Sequence, residues 1–318
     1  MTDYSVLIPN VPRRLEQVLP FAGLVNWTPA VRLWQGQSML LEPHQTFAGV
    51  AGAGFRVPVG FGVTLMPLRH PYEAATQARS VALATGHPVI AGFGPGGRAF
   101  QQYLRGAPYE SPLKVAREYL QSVRTLLDGE VADCDGEFTF QAQLAPALAP
   151  RVDVGLGVLR PGMARLAGEV ADVVITWLTP PGYLRDVIIP AVEEGMAKAG
   201  RTQRPRIVAM VPVGITREDT DPERLVLASN TAHLQAPHYQ DMLRKAGVDT
   251  SGDLNAIARG VIDTGGFVTG DLDTVVKKLT EFSEAGVDEI VLNTVGVNKM
   301  FGPQEALNDL TAILRTAP

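Results

Sequence analysis

Apolar positions in this chain fall into short, nearly continuous runs, separated by longer stretches where they recur at helical spacing. The runs predict strands at Tyr4–Ile8, Ala30–Trp34, Val57–Leu65, Pro88–Phe93, Arg151–Leu156, Asp172–Trp177, Arg206–Ile215 and Glu289–Thr294. Segments such as DVVITW and EIVLNTV lack the in–out alternation of a half-exposed strand, which is the pattern of a parallel strand covered on both faces. The intervening segments carry helix punctuation. Ser111-Pro112 reads as an N-cap followed by proline in the first turn, and Leu113, Ala116, Leu120, Val123 and Leu127 then mark one face before Asp128-Gly129 ends the helix. Val275, Val276, Leu279 and Phe282 do the same before Gly286. Strands alternating with helices predict βα units on a parallel sheet.

One stretch breaks the alternation. Residues from about 219 to 263 are too many for a single βα connection and are mostly helical in pattern. They predict a helical insertion ahead of the last βα unit, within a single domain spanning 1–318. Parallel α/β barrels commonly reach this length as one domain. In a barrel, function gathers at the C-terminal strand ends, here Gln35–Gln37, Thr64–His70, Gly92–Gly97 and Gly157–Gly162.

Composition narrows the function classes. Hydrophobic residues make up 46% and charged residues 19%, so a large core is available. A formal net charge of −5, with no basic run interleaved with aromatics, argues against a nucleic-acid partner. The N-terminal residues lack a signal-peptide pattern and no apolar run reaches the length of a membrane span, so a soluble cytoplasmic protein is expected. The one cysteine, Cys134, excludes a disulfide framework or a Cys-rich metal site within the chain. Of the five histidines, His44 and His87 read as a helix-entry residue and a strand-bottom residue. His233 and His238 sit five apart and share no helical face, so no metal pair is expected.

The segment GFGVTLMPLRHP, Gly60–Pro71, concentrates the unusual features. Glycines at 60 and 62 weaken a strand unless a bulge or a close approach requires them. GFGPGG at Gly92–Gly97 satisfies a G-x-G-x-x-G spacing, but no acidic residue ends a second strand about 20 positions on, as a dinucleotide fingerprint requires. A flat strand end beneath a ligand explains the same glycines. In GVLRPG, Gly157–Gly162, Pro161 suits a first helical turn whose free N–H groups form an anion site.

These motifs, in this order, resemble those of luciferase-like flavin- and deazaflavin-dependent enzymes. The GVT…RHP pattern is similar to that of methylenetetrahydromethanopterin reductases. VADCDGEFTF looks like the family's hairpin, Leu159–Ile175 like its phosphate-loop helix, and Leu279–Gly296 like its final βα unit. The resemblance implies a (β/α)8 TIM barrel of the bacterial luciferase-like type. It implies a bulge at the third strand containing a cis peptide at Gly62–Val63, behind the ring of coenzyme F420 or FMN. The implied cofactor residues are Gly62, Val63, Thr64, Gly94 and Gly96 beside the ring, with Leu159, Arg160 and Pro161 at the phosphate, where Arg160 would add a charge-assisted contact or stand as a surface arginine. F420 is favoured because the motif looks more like the deazaflavin branch, and the arginine-rich composition fits hosts that make this cofactor.

The chain departs from the family at its proton-handling positions. Gly36-Gln37 stands where the sugar-phosphate dehydrogenase branch has an Asp-His pair, and Gly97 where an acidic residue is usual. Gln37 and His70 remain the candidates for catalysis, His70 equally for a helix-start role. The expected activity is hydride transfer between F420 and a small-molecule or peptide substrate, with reduction of an activated C=C or C=N bond favoured. An FMN-dependent monooxygenase and a non-catalytic flavin- or ligand-binding barrel are the alternatives. The resemblance also implies a homodimer, and the cysteine and histidine pattern leads to the expectation of no metal.

Overall fold

The computed structural model describes residues 2–218 and 220–317. Met1, Asp219 and Pro318, which bound the expected domain and begin the expected insertion, lie outside the described residues. Eight parallel strands close into a barrel: β1 (Asp3–Leu7), β2 (Leu33–Gln35), β3 (Val59–Leu65), β4 (Val89–Gly94), β7 (Val152–Gly157), β8 (Val173–Trp177), β9 (Arg206–Ile215) and β11 (Glu289–Asn293). Closure is made by β8 pairing with β9 from Val173↔Arg206 to Trp177↔Met210. Each of the eight expected strands is present. The second is shorter than expected, because the residues laddered to both neighbours begin only at Leu33.

Two elements stand outside the closed ring of strands. A hairpin, β5 (Ala132–Cys134) with β6 (Phe140–Ala142), covers the outer side of the barrel and holds Cys134 as a free buried thiol. A three-residue strand, β10 (Val268–Gly270), extends the sheet along the far end of β9 and escapes notice in the sequence because it is too short to show a period. Between β9 and β10 run three helices, Pro222–Gln235 (α1), Pro237–Lys245 (α2) and Leu254–Asp263 (α3), where the insertion was expected. Among the described residues no helix is long and apolar enough to cross a membrane.

Two apolar layers hold the barrel. The larger lies between the strands and the outer helices. The smaller fills the lumen with Leu7, Trp34, Ile90, Ile175, Met210 and Val291, among others. Trp34 is fully buried there, and its Nε1–H donates to Glu289 Oε1 at 2.8 Å. Glu289 is itself fully buried, accepting from Ser5 at 2.6 Å and lying 3.5 Å from Arg32 and 3.2 Å from Arg206. The floor of the lumen is therefore a paired charge cluster capped by an indole. A buried carboxylate persists only when it is paired and hydrogen-bonded in this way.

Candidate active site at the strand ends

The β3 exit is shaped by the lumen beneath it. A Cβ on Gly60 would lie 2.6 Å from the Trp34 ring, and one on Gly62 would lie 2.1 Å from Met210 Cε. Both glycines are thus explained by a close approach, as the sequence required of them. Beyond Phe61 the β3–β4 register slips, so that Phe61 pairs with Ala91 but Thr64 with Phe93. This is the expected bulge, and the Gly62–Val63 peptide within it is cis. Thr64 Oγ1 donates to the Gly92 carbonyl at 3.1 Å, tying the bulge back to β4.

Small residues line the mouth next to the bulge. Hypothetical side chains on Gly94 and Gly157 would meet the Val63 methyls at 3.0 and 3.4 Å, and one on Gly36 would meet the Gly62 carbonyl at 3.2 Å. Three strand ends therefore stay bare around Val63, giving a flat surface rather than a ring of side chains. Gly96, at φ +72°, turns the chain away from β4 in a conformation that L side chains rarely adopt.

On the neighbouring strand, β7 leads into a loop and a ten-residue helix beginning at Pro161. Arg160 is its N-cap residue and no side chain caps it. Its first-turn N–H groups can therefore meet an anion, and the helix dipole favours one. The Arg160 side chain is about half exposed and reaches Asp241 on α2 at 3.7 Å, so α2 touches the start of this helix.

The two catalytic candidates are placed differently from one another. The Gln37 side chain is committed: its Oε1 accepts from Arg69 at 3.0 Å and from the Leu65 N–H at 3.4 Å, while its Nε2 donates to the Ser38 carbonyl. Its backbone N–H donates to the Val63 carbonyl at 2.9 Å. Gln37 therefore holds the bulge and the buried Arg69, which also pairs with Glu42 at 2.8 Å. Glu42 in turn contacts His44, whose ring stacks on Phe61 at 4.2 Å. His70 is exposed, accepts from the Tyr72 N–H as the N-cap of the helix Pro71–Thr85, and packs on Phe140 of the outer hairpin. Its geometry is that of the helix-start role.

On the opposite side of the mouth, sequence reasoning did not foresee which side chains meet. Trp177, the last residue of β8, stacks on His233 of α1 with centroids 5.4 Å apart, and Tyr239 of α2 meets His233 edge-on. Burial pushes the His233 pKa down to about 4, so it is neutral at pH 7. His44 and His238 are also pushed down, chiefly by burial. With folded values below the unfolded one near 6.5, the unfolded chain binds more protons, so stability falls as pH drops from about 6.5 toward about 4. His233→Leu is expected to flatten part of that decline. Urea midpoints at pH 7 and pH 5 test this, and an unchanged difference between the two would refute it.

Comparison with known proteins fits this geometry. The family model described as luciferase-like monooxygenase matches residues 21–289. A 5,10-methylenetetrahydromethanopterin reductase of Methanolobus tindarius is 27% identical over 260 residues, covering 76% of this chain and 79% of the relative. An F420-dependent glucose-6-phosphate dehydrogenase of Nocardia farcinica is 27% identical over 267 residues, covering 79% and 78%. The solved coenzyme F420-dependent tetrahydromethanopterin reductase of Methanopyrus kandleri superposes with a TM-score of 0.75 at 21% identity, covering 98% of this chain and 96% of that one. Because the family match runs from the first outer helix to the last barrel strand, this chain belongs to the luciferase-like monooxygenase family.

Proposed function

We propose that the protein is an oxidoreductase that uses coenzyme F420 to exchange a hydride with a small organic substrate at the strand-end mouth. The observation that carries this reading is the β3 bulge, where Val63 stands over the bare strand ends of Gly94 and Gly157. A planar ring system can lie against such a surface, with Gly62, Val63 and Thr64 behind it and Gly94 and Gly96 along its edge. Leu159, Arg160 and Pro161 would meet the phosphate at the uncapped helix start. The names of the relatives favour F420 over FMN.

When bound, F420 supplies the hydride chemistry, and the chain contributes position and a water-poor wall. Gln37 anchors the bulge through the Val63 carbonyl and Leu65 N–H, and Trp34 props it from below. Gln37 is an amide already engaged with Arg69, Gly97 has no side chain, and His233 is neutral and desolvated. None of them is a carboxylate poised to take a proton from an alcohol. This favours a substrate that arrives polarised, with an activated C=C or C=N bond.

Equilibrium dialysis against F420 and FMN separately tests the cofactor. F420 is expected to bind at least tenfold more tightly. Tight FMN binding without F420 binding would overturn the reading in favour of an FMN-dependent monooxygenase.

A further inference from the structure

The wall of the mouth opposite the bulge has features that the cofactor reading leaves unused. Side chains alternate along each strand, so the lumen faces of Val173 and Ile175, of Val208 and Met210, and of Val291 continue upward into Trp177, Pro212 and Asn293. Trp177 and Asn293 therefore flank β9 on the same inner surface. Both carry a shielded donor with no acceptor: the indole Nε1–H of Trp177 and the amide Nδ2 of Asn293. The orientation of the Asn293 amide is fixed, because its Oδ1 accepts from the Val295 N–H at 3.0 Å. Asn293 is 1% exposed, so its free donor is deeply buried. Buried donors in native proteins normally have partners, and two without them on one inner wall call for a ligand acceptor.

The wall is also aromatic and uncharged. The half-buried Trp177 ring is overlaid by His233, which is neutral at pH 7 and whose Nδ1 has no partner. The nearby cations are engaged elsewhere: Lys299 donates to the Ala228 carbonyl at 2.8 Å and Arg160 pairs with Asp241. The His233 Nδ1 makes no hydrogen bond, and packing on Trp177 and Tyr239 holds the His233 ring.

Resting on the oxidoreductase reading above, we propose that Trp177, Asn293 and His233 form the substrate subsite, and that it takes a planar, uncharged, conjugated molecule bearing a carbonyl acceptor. Trp177 Nε1 and Asn293 Nδ2 are the donors offered to the carbonyl, which meets the indole at its edge, and the conjugated plane stacks on the His233 ring. An anionic group is disfavoured here because, among the described residues, no free cation faces it to offset its desolvation.

Cinnamamide, its anionic counterpart cinnamate and the saturated 3-phenylpropanamide probe these features separately, by calorimetric titration of the F420-loaded protein. Cinnamamide is expected to bind at least tenfold more tightly than cinnamate and several-fold more tightly than 3-phenylpropanamide. Trp177→Phe, which keeps a ring but removes the N–H, should weaken cinnamamide about fivefold to tenfold while leaving F420 affinity within twofold. Equal or tighter binding of cinnamate, no effect of Trp177→Phe, or no binding of cinnamamide would each overturn the proposal. Failure of F420 itself to bind would instead overturn the cofactor reading, and the same titrations on the protein alone would then decide the subsite.

Discussion

Replacing Gly92 with alanine is expected to destabilise the protein by about 3 kcal/mol, the upper part of the range for overpacking a filled interior, and to weaken F420 binding more than tenfold. The added Cβ would lie 2.1 Å from the Phe61 carbonyl oxygen and 2.4 Å from Ile175 Cδ1. The first is backbone and the second sits in the filled lumen, so neither can yield by a simple side-chain rotation. Relief must come from parting β3 and β4 where the register slips, which moves Thr64, whose hydroxyl is held by the Gly92 carbonyl. The bulge behind the proposed ring site would shift with it. Gly52→Ala is the matched control, because a Cβ there meets nothing within 4 Å at the end of a helix. It is expected to be neutral or slightly stabilising. Denaturant titration and F420 dialysis on both variants measure the contrast, and a Gly92→Ala protein as stable as Gly52→Ala would refute the packing argument.

The second large effect is expected at the bottom of the lumen. Glu289→Ala removes the carboxylate that accepts from Trp34 and Ser5 and faces Arg32 and Arg206. It leaves Arg32 buried without its counter-charge and the indole N–H without an acceptor. Loss of one partner from a buried ion pair costs about 3–5 kcal/mol. Glu289→Gln keeps an acceptor for the indole and should recover part of that loss. Because Trp34 packs on Gly60 and Gly62, the alanine variant should also loosen the β3 exit, seen as changed tryptophan fluorescence. Equal stability of the alanine and glutamine variants would show that the indole contact contributes nothing.

Much of the architecture was legible in the chain. Strands buried on both faces must be apolar throughout, so all eight barrel strands stood out as runs, and the caps at Ser111 and Gly286 marked where helices begin and end. The glycines of Gly60–Pro71 marked the bulge because glycine in a strand demands a reason. The sequence could not say what that reason was. Whether Gly60 makes room for a ligand or for Trp34 depends on which residue the barrel's register brings opposite, and pairing across strands distant in sequence fixes that.

The site was legible in the same uneven way. Local order determined the bare glycine strand ends and the uncapped helix start at Pro161, since each is written in consecutive residues. Gln37 could be singled out by its position, but its commitment to Arg69 arises only when two strand-exit loops are folded side by side. The Trp177–His233 pair joins a strand end to a helix of the segment before β10, and no periodicity links them. Local spacing thus specified the elements and the bulge of this protein. The filling of the lumen, the loss of Gln37 as a free polar group and the aromatic wall of the mouth were decided by tertiary structure alone, because closing the barrel chooses which distant side chains share its interior.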